Sequence, residues 1–170
     1  MTKVIIPKEI YHSFFFPENH TELELEQIEP FNAKDSFVYE IAFFSGIETV
    51  QPWEDPERYL PQLLTEWKLL QEDLKSIFQK RDKANTLIPM KLGIGYLLES
   101  IYWSNGLPVS LGNSNDLDTL AIRPVNITER VQFLFSRPGI YPSFIQLTEL
   151  IEEQEKQFSK YLAIQRAKTK

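Results

Sequence analysis

The chain has 170 residues, of which 42% are hydrophobic and 13% aromatic, with no cysteine and a formal net charge of −6. That is enough for one domain with its own core. It excludes disulfides and thiolate metal sites and points to a reducing compartment, while the acidic balance argues against a dominant nucleic-acid surface.

The charge is uneven. Residues 1–85 hold 9 Lys and Arg against 16 Asp and Glu, a net −7, whereas residues 86–170 hold 9 against 8, a net +1. The N-terminus, Met1-Thr-Lys-Val-Ile-Ile-Pro7, has only a short apolar run with no secretory core behind it. The most apolar stretch, around Leu97, is broken by Lys91 and Glu99 and falls short of a membrane span. A soluble, cytoplasmic protein is the expectation.

Residues 1–33 have little periodicity and are interrupted by Pro7, Pro17 and Pro30. They read as an extended arm, with a short helix over 8–15 and three aromatics, Phe14 to Phe16, that need burial. Glu22, Glu24 and Glu26 alternate within a run read as solvated loop. Residues 36–45 fit helix or strand. Phe37, Ile41 and Phe44 follow helical spacing with Asp35 as a cap, but the same residues have strand propensity. Helix is favoured because the rest of the chain is helical.

Residues 57–81 carry the clearest amphipathic pattern, with Leu60, Leu63, Leu64, Trp67, Leu70, Leu74, Ile77 and Phe78 on one face. Asp55-Pro56 reads as a cap with proline at the first helical position, and Pro61 as a later start or a kink. Residues 87–104 form a helix that is apolar almost all round, as expected of a buried central element. Gly93 and Gly95 inside it lower helix propensity by about 1 kcal/mol each against alanine, so a close-packed neighbouring backbone is expected there. Asn105-Gly106 ends the helix. Asn126-Ile-Thr-Glu129 resembles a capping box opening a helix through about Ser136, and Ser143-Phe-Ile-Gln146 a second one opening a helix to about Ala167.

Chemistry is sparse. Glu99 lies at helical spacing from Tyr96 and Trp103, and a carboxyl among aromatics has a raised pKa and can act as an acid or base. A structural pairing with an arginine, above all Arg130, is the competing explanation. Arg123, Arg130 and Arg137 lie before, in and after the helix opening at Asn126, where a helix N-terminus could help bind an anion. These six residues are the candidate ligand site. No catalytic residue is assigned, because no nucleophile motif or second polar group at a defined spacing accompanies them. His12 and His20 stand near Glu9, Glu18 and Glu22 without a metal-site spacing, so neither metal nor cofactor is expected. Lys80, Arg81 and Lys83, and Arg166, Lys168 and Lys170, sit at helix C-termini. The helix dipole accounts for them there, and direct nucleic-acid binding is not expected.

The string Ala84-Asn-Thr-Leu-Ile-Pro-Met-Lys91, with Gly93-Ile-Gly-Tyr-Leu-Leu-Glu99 and Tyr102-Trp103, resembles the YpoC-like family of Bacillus-type bacteria. Arg123-Pro-Val-Asn126, Glu129-Arg130, Arg137-Pro138, Ser143-Phe-Ile-Gln-Leu147, Glu149-Leu150 and Ala163-Ile-Gln165 extend the resemblance over roughly 60–168, and Phe16-Pro-Glu-Asn19 joins it more loosely. The resemblance implies a helical fold and assigns no catalytic residue. It also implies genes lying near replication and repair genes, an association only.

The sequence thus predicts an all-α, single-domain bundle of roughly five to seven helices around a central apolar helix at about 87–104. Residues 1–33 are an arm on a helical domain over 34–170. The expected function is a non-enzymatic interaction or adaptor protein with a protein partner. The alternative is a binder of a small anionic ligand, or an enzyme, using Glu99 and Arg130.

Overall fold

In the computed structural model, which describes residues 2–16, 22–25, 28–112 and 116–169, six helices carry the fold. They are α1 (Val38–Phe44), α2 (Pro56–Gln79), α3 (Leu87–Ser104), α4 (Asp116–Thr119), α5 (Ile127–Ser136) and α6 (Tyr141–Lys168). Short 3-10 turns occupy Pro52–Glu54 and Lys83–Asn85.

Helix α3 is the axis. Every residue from Gly93 to Ser104 is buried, as its all-round apolar sequence requires. Helix α2 buries Leu60, Leu63, Trp67 and Leu74 along one face. Helix α6 buries Phe144, Leu147, Leu150, Ile151 and Phe158, together with the polar Gln154. Phe78 near the end of α2 meets Tyr141 and Phe144 at the start of α6, with ring centroids 5.8 and 5.4 Å apart. At the other end, Arg166 of α6 donates to Glu57 of α2 at 2.9 Å. The two helices therefore run antiparallel, and α3 returns between them. Asn105 stops α3 and fastens the chain beyond it. Its amide donates to the carbonyls of Ile101 and Ile122 at 2.7 and 2.8 Å and accepts from the Ile122 N–H at 2.9 Å. Gly106 follows at φ 74°, a left-handed conformation that glycine adopts without strain.

The N-terminal region departs from expectation. Residues Thr2–Ile5 and Glu22–Leu25 form an antiparallel strand pair, β1 and β2, in which Thr2 faces Leu25 and Ile5 faces Glu22. The Glu-Leu-Glu-Leu alternation expected as loop is thus a strand, as its period-2 pattern allows. The helix expected over 8–15 is a series of turns. Ile10 is fully enclosed, and the Glu9 carbonyl accepts from the N–H groups of Leu111 and Gly112. Phe15 packs edge-on against Phe37 at 4.9 Å, and Phe14 lies 4.7 Å from Phe135.

Residues 38–44 are helical, but Asp35 does not cap them. The N-cap is Phe37, at φ 63° and without a side-chain cap bond. Pro61 neither delays α2 nor ends it; the helix begins at Pro56 and runs through. Neither capping box forms. Asn126 precedes α5 at φ 55° with no side-chain cap bond. Ser143 lies inside α6, where its hydroxyl donates to the Arg137 carbonyl and fixes the turn between α5 and α6.

The α3 glycines meet side chains rather than another backbone. A Cβ on Gly93 would lie 2.9 Å from Leu147 Cδ2 and 3.0 Å from Trp67 Cζ3, so this glycine lets α2 and α6 close on α3. At Gly95 it would lie 2.5 Å from Ser36 Oγ. Gly93→Leu should therefore overpack the three-helix junction and destabilise the protein by about 1–3 kcal/mol or more. Thermal melts read this directly, and a wild-type midpoint would show that the junction has room.

Candidate functional site

Tyr96, Glu99 and Trp103 project from α3 into the core, where Glu99 and Trp103 meet a residue the sequence did not single out, Glu40 of α1. Glu99 is 2% exposed and Glu40 0%. Trp103 Nε1 donates to Glu40 Oε2 at 2.7 Å, and the Val109 N–H donates to the same oxygen at 3.1 Å. Glu99 Oε1 accepts from the Phe37 N–H at 3.3 Å. Glu40 Oε1 is buried without a hydrogen-bond partner. Neither carboxyl has an arginine or lysine in ion-pair distance among the described residues.

Two enclosed acids without a cation are held toward their neutral forms. Burial raises the Glu99 pKa well above the ordinary value, and the charge of Glu40 adds to that. Burial raises Glu40 to about 7, against the opposing bonds from Trp103 and Val109. A proton on Glu40 Oε1 leaves both Oε2 bonds intact. Tyr96 is raised by burial and then by the Glu99 charge, which places it in the same electrostatic neighbourhood. Glu40 was legible in principle: Phe37, Glu40, Ile41 and Phe44 lie on one helical face.

The expected Glu99–Arg130 pair is not formed. Arg130 Nη1 donates to Glu153 Oε2 at 2.8 Å and to the Val125 carbonyl at 2.9 Å. The Gln146 amide oxygen, in the orientation that satisfies both its polar atoms, accepts from Arg130 Nε and Nη2 at 2.6 and 2.9 Å. Burial works upward on Glu153, but the Val125 N–H and Arg130 outweigh it and hold its carboxyl below the ordinary range. Arg123 Nη1 donates to the Leu120 carbonyl, and Arg137 is exposed at the end of α5. The structure therefore unites the three α3 residues in the core and leaves the three arginines along the α5 surface, serving loops and α6. The physical reason is register: Glu153 of α6 comes opposite Arg130, while Phe37 brings a free N–H to Glu99.

His12 accepts from the Phe14 N–H at 3.1 Å and lies 5.0 Å from the Phe135 ring; burial lowers its pKa. It borders a cavity of about 300 Å³ floored by Leu98 and Val131. His20, Glu18 and Lys170 lie outside the described residues, among which no cluster of three or more His, Asp and Glu side chains is grouped to hold a metal. A groove of about 490 Å³ runs between α2 and α6, walled by Leu60, Leu64, Phe158 and Leu162 over Ser100 and Ser104. No described helix is long and apolar enough to cross a membrane.

The family model described as YpoC-like protein matches residues 57–166. A protein of Bacillus subtilis (strain 168), named Uncharacterized protein YpoC, is 38% identical over 126 residues, covering 73% of this chain and 77% of that one. No solved structure matches. The chain belongs to the YpoC-like family.

The acid pair sets a pH dependence with a definite sign. Both carboxyls have folded pKa values raised above their unfolded ones. Below the unfolded value both states are protonated and nothing is lost. As pH rises above it, the unfolded chain releases protons that the folded chain keeps, and stability falls by up to about 1.4 kcal/mol per pH unit for each carboxyl. For Glu40 the fall ends near pH 7; for Glu99 it continues above the ordinary carboxyl range. Denaturant midpoints measured from mildly acidic to neutral pH should decline, and Glu99→Gln, which keeps an acceptor for Phe37, should flatten that decline and raise stability at neutral pH. Arg130→Met should cost only about 1 kcal/mol or less, as for a partly exposed pair. A large loss in Glu99→Gln would show that an ionised Glu99 is needed by the fold.

Proposed function

We propose that this protein is a non-enzymatic, cytoplasmic interaction protein, an adaptor whose contacts are made on its surface rather than in an interior site. The single observation that carries this reading is where apolar surface is left over. The acids are enclosed, and Glu99 and Arg130 have separate partners, so the anionic-ligand alternative loses its constellation. Of the exposed large apolar side chains, several, including the most exposed, Ile88, lie at one end of the bundle, while others such as Leu69, Val125 and Ile164 are scattered. Ile88 is 82% exposed, Tyr141 56% and Leu87 44%, with Ile140 and Ile145 beside them in sequence. The start of α3 adjoins the turn into α6: a Cβ on Gly139 would lie 3.3 Å from Thr86 Oγ1, and Phe78 meets Tyr141. Apolar surface gathered in this way marks partner sites more often than apolar residues scattered singly. The proposed setting of the partner, DNA replication or repair, is drawn by association only from the gene context that the sequence resemblance implies.

The test is affinity capture from native cell extract with the tagged wild type and with Ile88→Asp and Tyr141→Asp. Ile88→Asp should melt as the wild type does, and Tyr141→Asp somewhat below it, because the Tyr141 ring also meets Phe78 and Phe144. A protein recovered with the wild type and lost with both variants is the expected result. Unchanged recovery with both variants would end the assignment to this end of the bundle. Labelled duplex and single-stranded DNA should bind only weakly, at or above roughly micromolar Kd in physiological salt. Tight, sequence-dependent binding in fluorescence anisotropy would replace the adaptor reading with a nucleic-acid one.

A further inference from the structure

We infer that the apolar end of the bundle is built for an acidic partner, a protein segment that presents carboxylates around apolar side chains. This rests on the adaptor reading above and adds the partner's chemistry. The argument is charge complementarity. Lys80 and Arg81 close α2, Lys83 stands in the connector to α3, and Arg137 closes α5, so all four lie at the end that carries Leu87, Ile88 and Tyr141. All four are exposed, and none has an acidic partner within ion-pair distance among the described residues. The one acid of the connector, Asp82, accepts instead from the Asn85 amide at 2.8 Å. A chain of net −6 thus gathers an unbalanced positive charge at the place where its apolar surface is most exposed.

The backbone adds to that charge. Helices α3 and α6 both begin at this end, and neither has a side-chain cap bond at its N-terminus. The Thr86 hydroxyl donates backward to the Lys83 carbonyl instead of accepting from the helix. Unfilled helix N-termini favour carboxylates. The C-termini of α2 and α5 offset part of this field, and their lysine and arginines outnumber that need.

A protein segment fits better than an extended anionic surface. Glu66, Glu72 and Asp73 stand on the α2 flank above the cationic end. A membrane or a long nucleic acid would meet these acids as well, whereas a peptide covers only the end. A second copy docked end to end on the same patch would bring like charges together.

The test uses the full chain and four fluorescein-labelled probes of equal length: an acidic apolar peptide alternating Glu with Leu and Phe, its lysine counterpart, its Glu-Ser counterpart and single-stranded DNA. Phosphatidylserine–phosphatidylcholine vesicles are a fifth arm. The acidic apolar peptide should bind tightest, weaken as salt screens the charges, and weaken by about tenfold or more in the triple variant Lys80→Glu, Lys83→Glu, Arg137→Glu, as expected for several exposed pairs lost together. Ile88→Asp should weaken it comparably. Equal affinity for the acidic and lysine peptides, tighter binding to DNA or vesicles, or no peptide binding would overturn the inference. The two claims fail separately. Capture lost with Ile88→Asp but kept in the triple charge reversal leaves the adaptor reading standing without its acidic partner. Capture indifferent to Ile88→Asp removes the docking end itself.

Discussion

Glu40 and Glu99 are enclosed between α1 and α3 with no cation in ion-pair distance among the described residues, and the way this is tolerated governs how α1 joins α3. Each acid is turned to backbone or indole N–H groups: Glu40 to Trp103 and Val109, Glu99 to Phe37. These bonds join α1, α3 and the segment after α3, elements separated by more than sixty residues. Leaving a buried N–H unpaired is costly, and Phe37 is a place where the chain has no regular partner, since its φ of 63° lies in the left-handed region before α1. A bulky residue there is unusual. Its ring, 1% exposed and packed on Phe15, helps over-determine the conformation that aims its N–H at Glu99. Glu99 completes the backbone entering α1 through Phe37, and burial shifts both carboxyls toward their protonated forms.

Around this junction the helices are organised by α3. Its small residues set how near its neighbours come: Gly93 admits Leu147 and Trp67, and Gly95 admits Ser36. Toward its C-terminus the floor becomes polar. The Ser104 hydroxyl donates to the Ser100 carbonyl, and Gln154 of α6 is fully enclosed with its amide donating to the Ile122 carbonyl. Here α6 stands away from α2, leaving the groove that the Arg166–Glu57 pair spans. The two ends of the bundle therefore differ in chemistry. One gathers Glu54, Asp55 and Glu57 with Arg58, Arg166 and Lys168, Arg166 being paired to Glu57, and the other gathers Lys80, Arg81, Lys83 and Arg137, which have no ion-pair partner among the described residues, beside exposed apolar side chains.

The arginines show how register redistributes roles. Arg130 sits one turn into α5, and the antiparallel return of α6 places Gln146 and Glu153 along its reach. Arg123 ends on a carbonyl of its own loop. Spacing in sequence grouped the three arginines with Glu99. Packing separated them, because α6 brings Gln146 and Glu153 to Arg130 while Glu99 meets Phe37 at α1.

The sequence by itself determined the long helices α2, α3, α5 and α6 and their order. The stripes of α2 and α6, the all-round apolar α3 and the Asn105-Gly106 stop are local patterns, written within a few residues and read by the same short-range sterics that form a helix. It also carries two weaker signals, the period-2 alternation at Glu22–Leu25 and the spacing that puts Glu40 on the buried face of α1. Only the tertiary structure decided the partners of polar groups: that Ser143 fixes the Arg137 carbonyl rather than capping a helix, that Glu99 meets Phe37 and not Arg130, and that four cations converge with Ile88 and Tyr141. The reason is physical. A helix is specified by neighbours one turn away, but a buried donor or acceptor must be matched by whatever the rest of the chain brings to it, and that match depends on helix register across tens of residues, which periodicity does not encode.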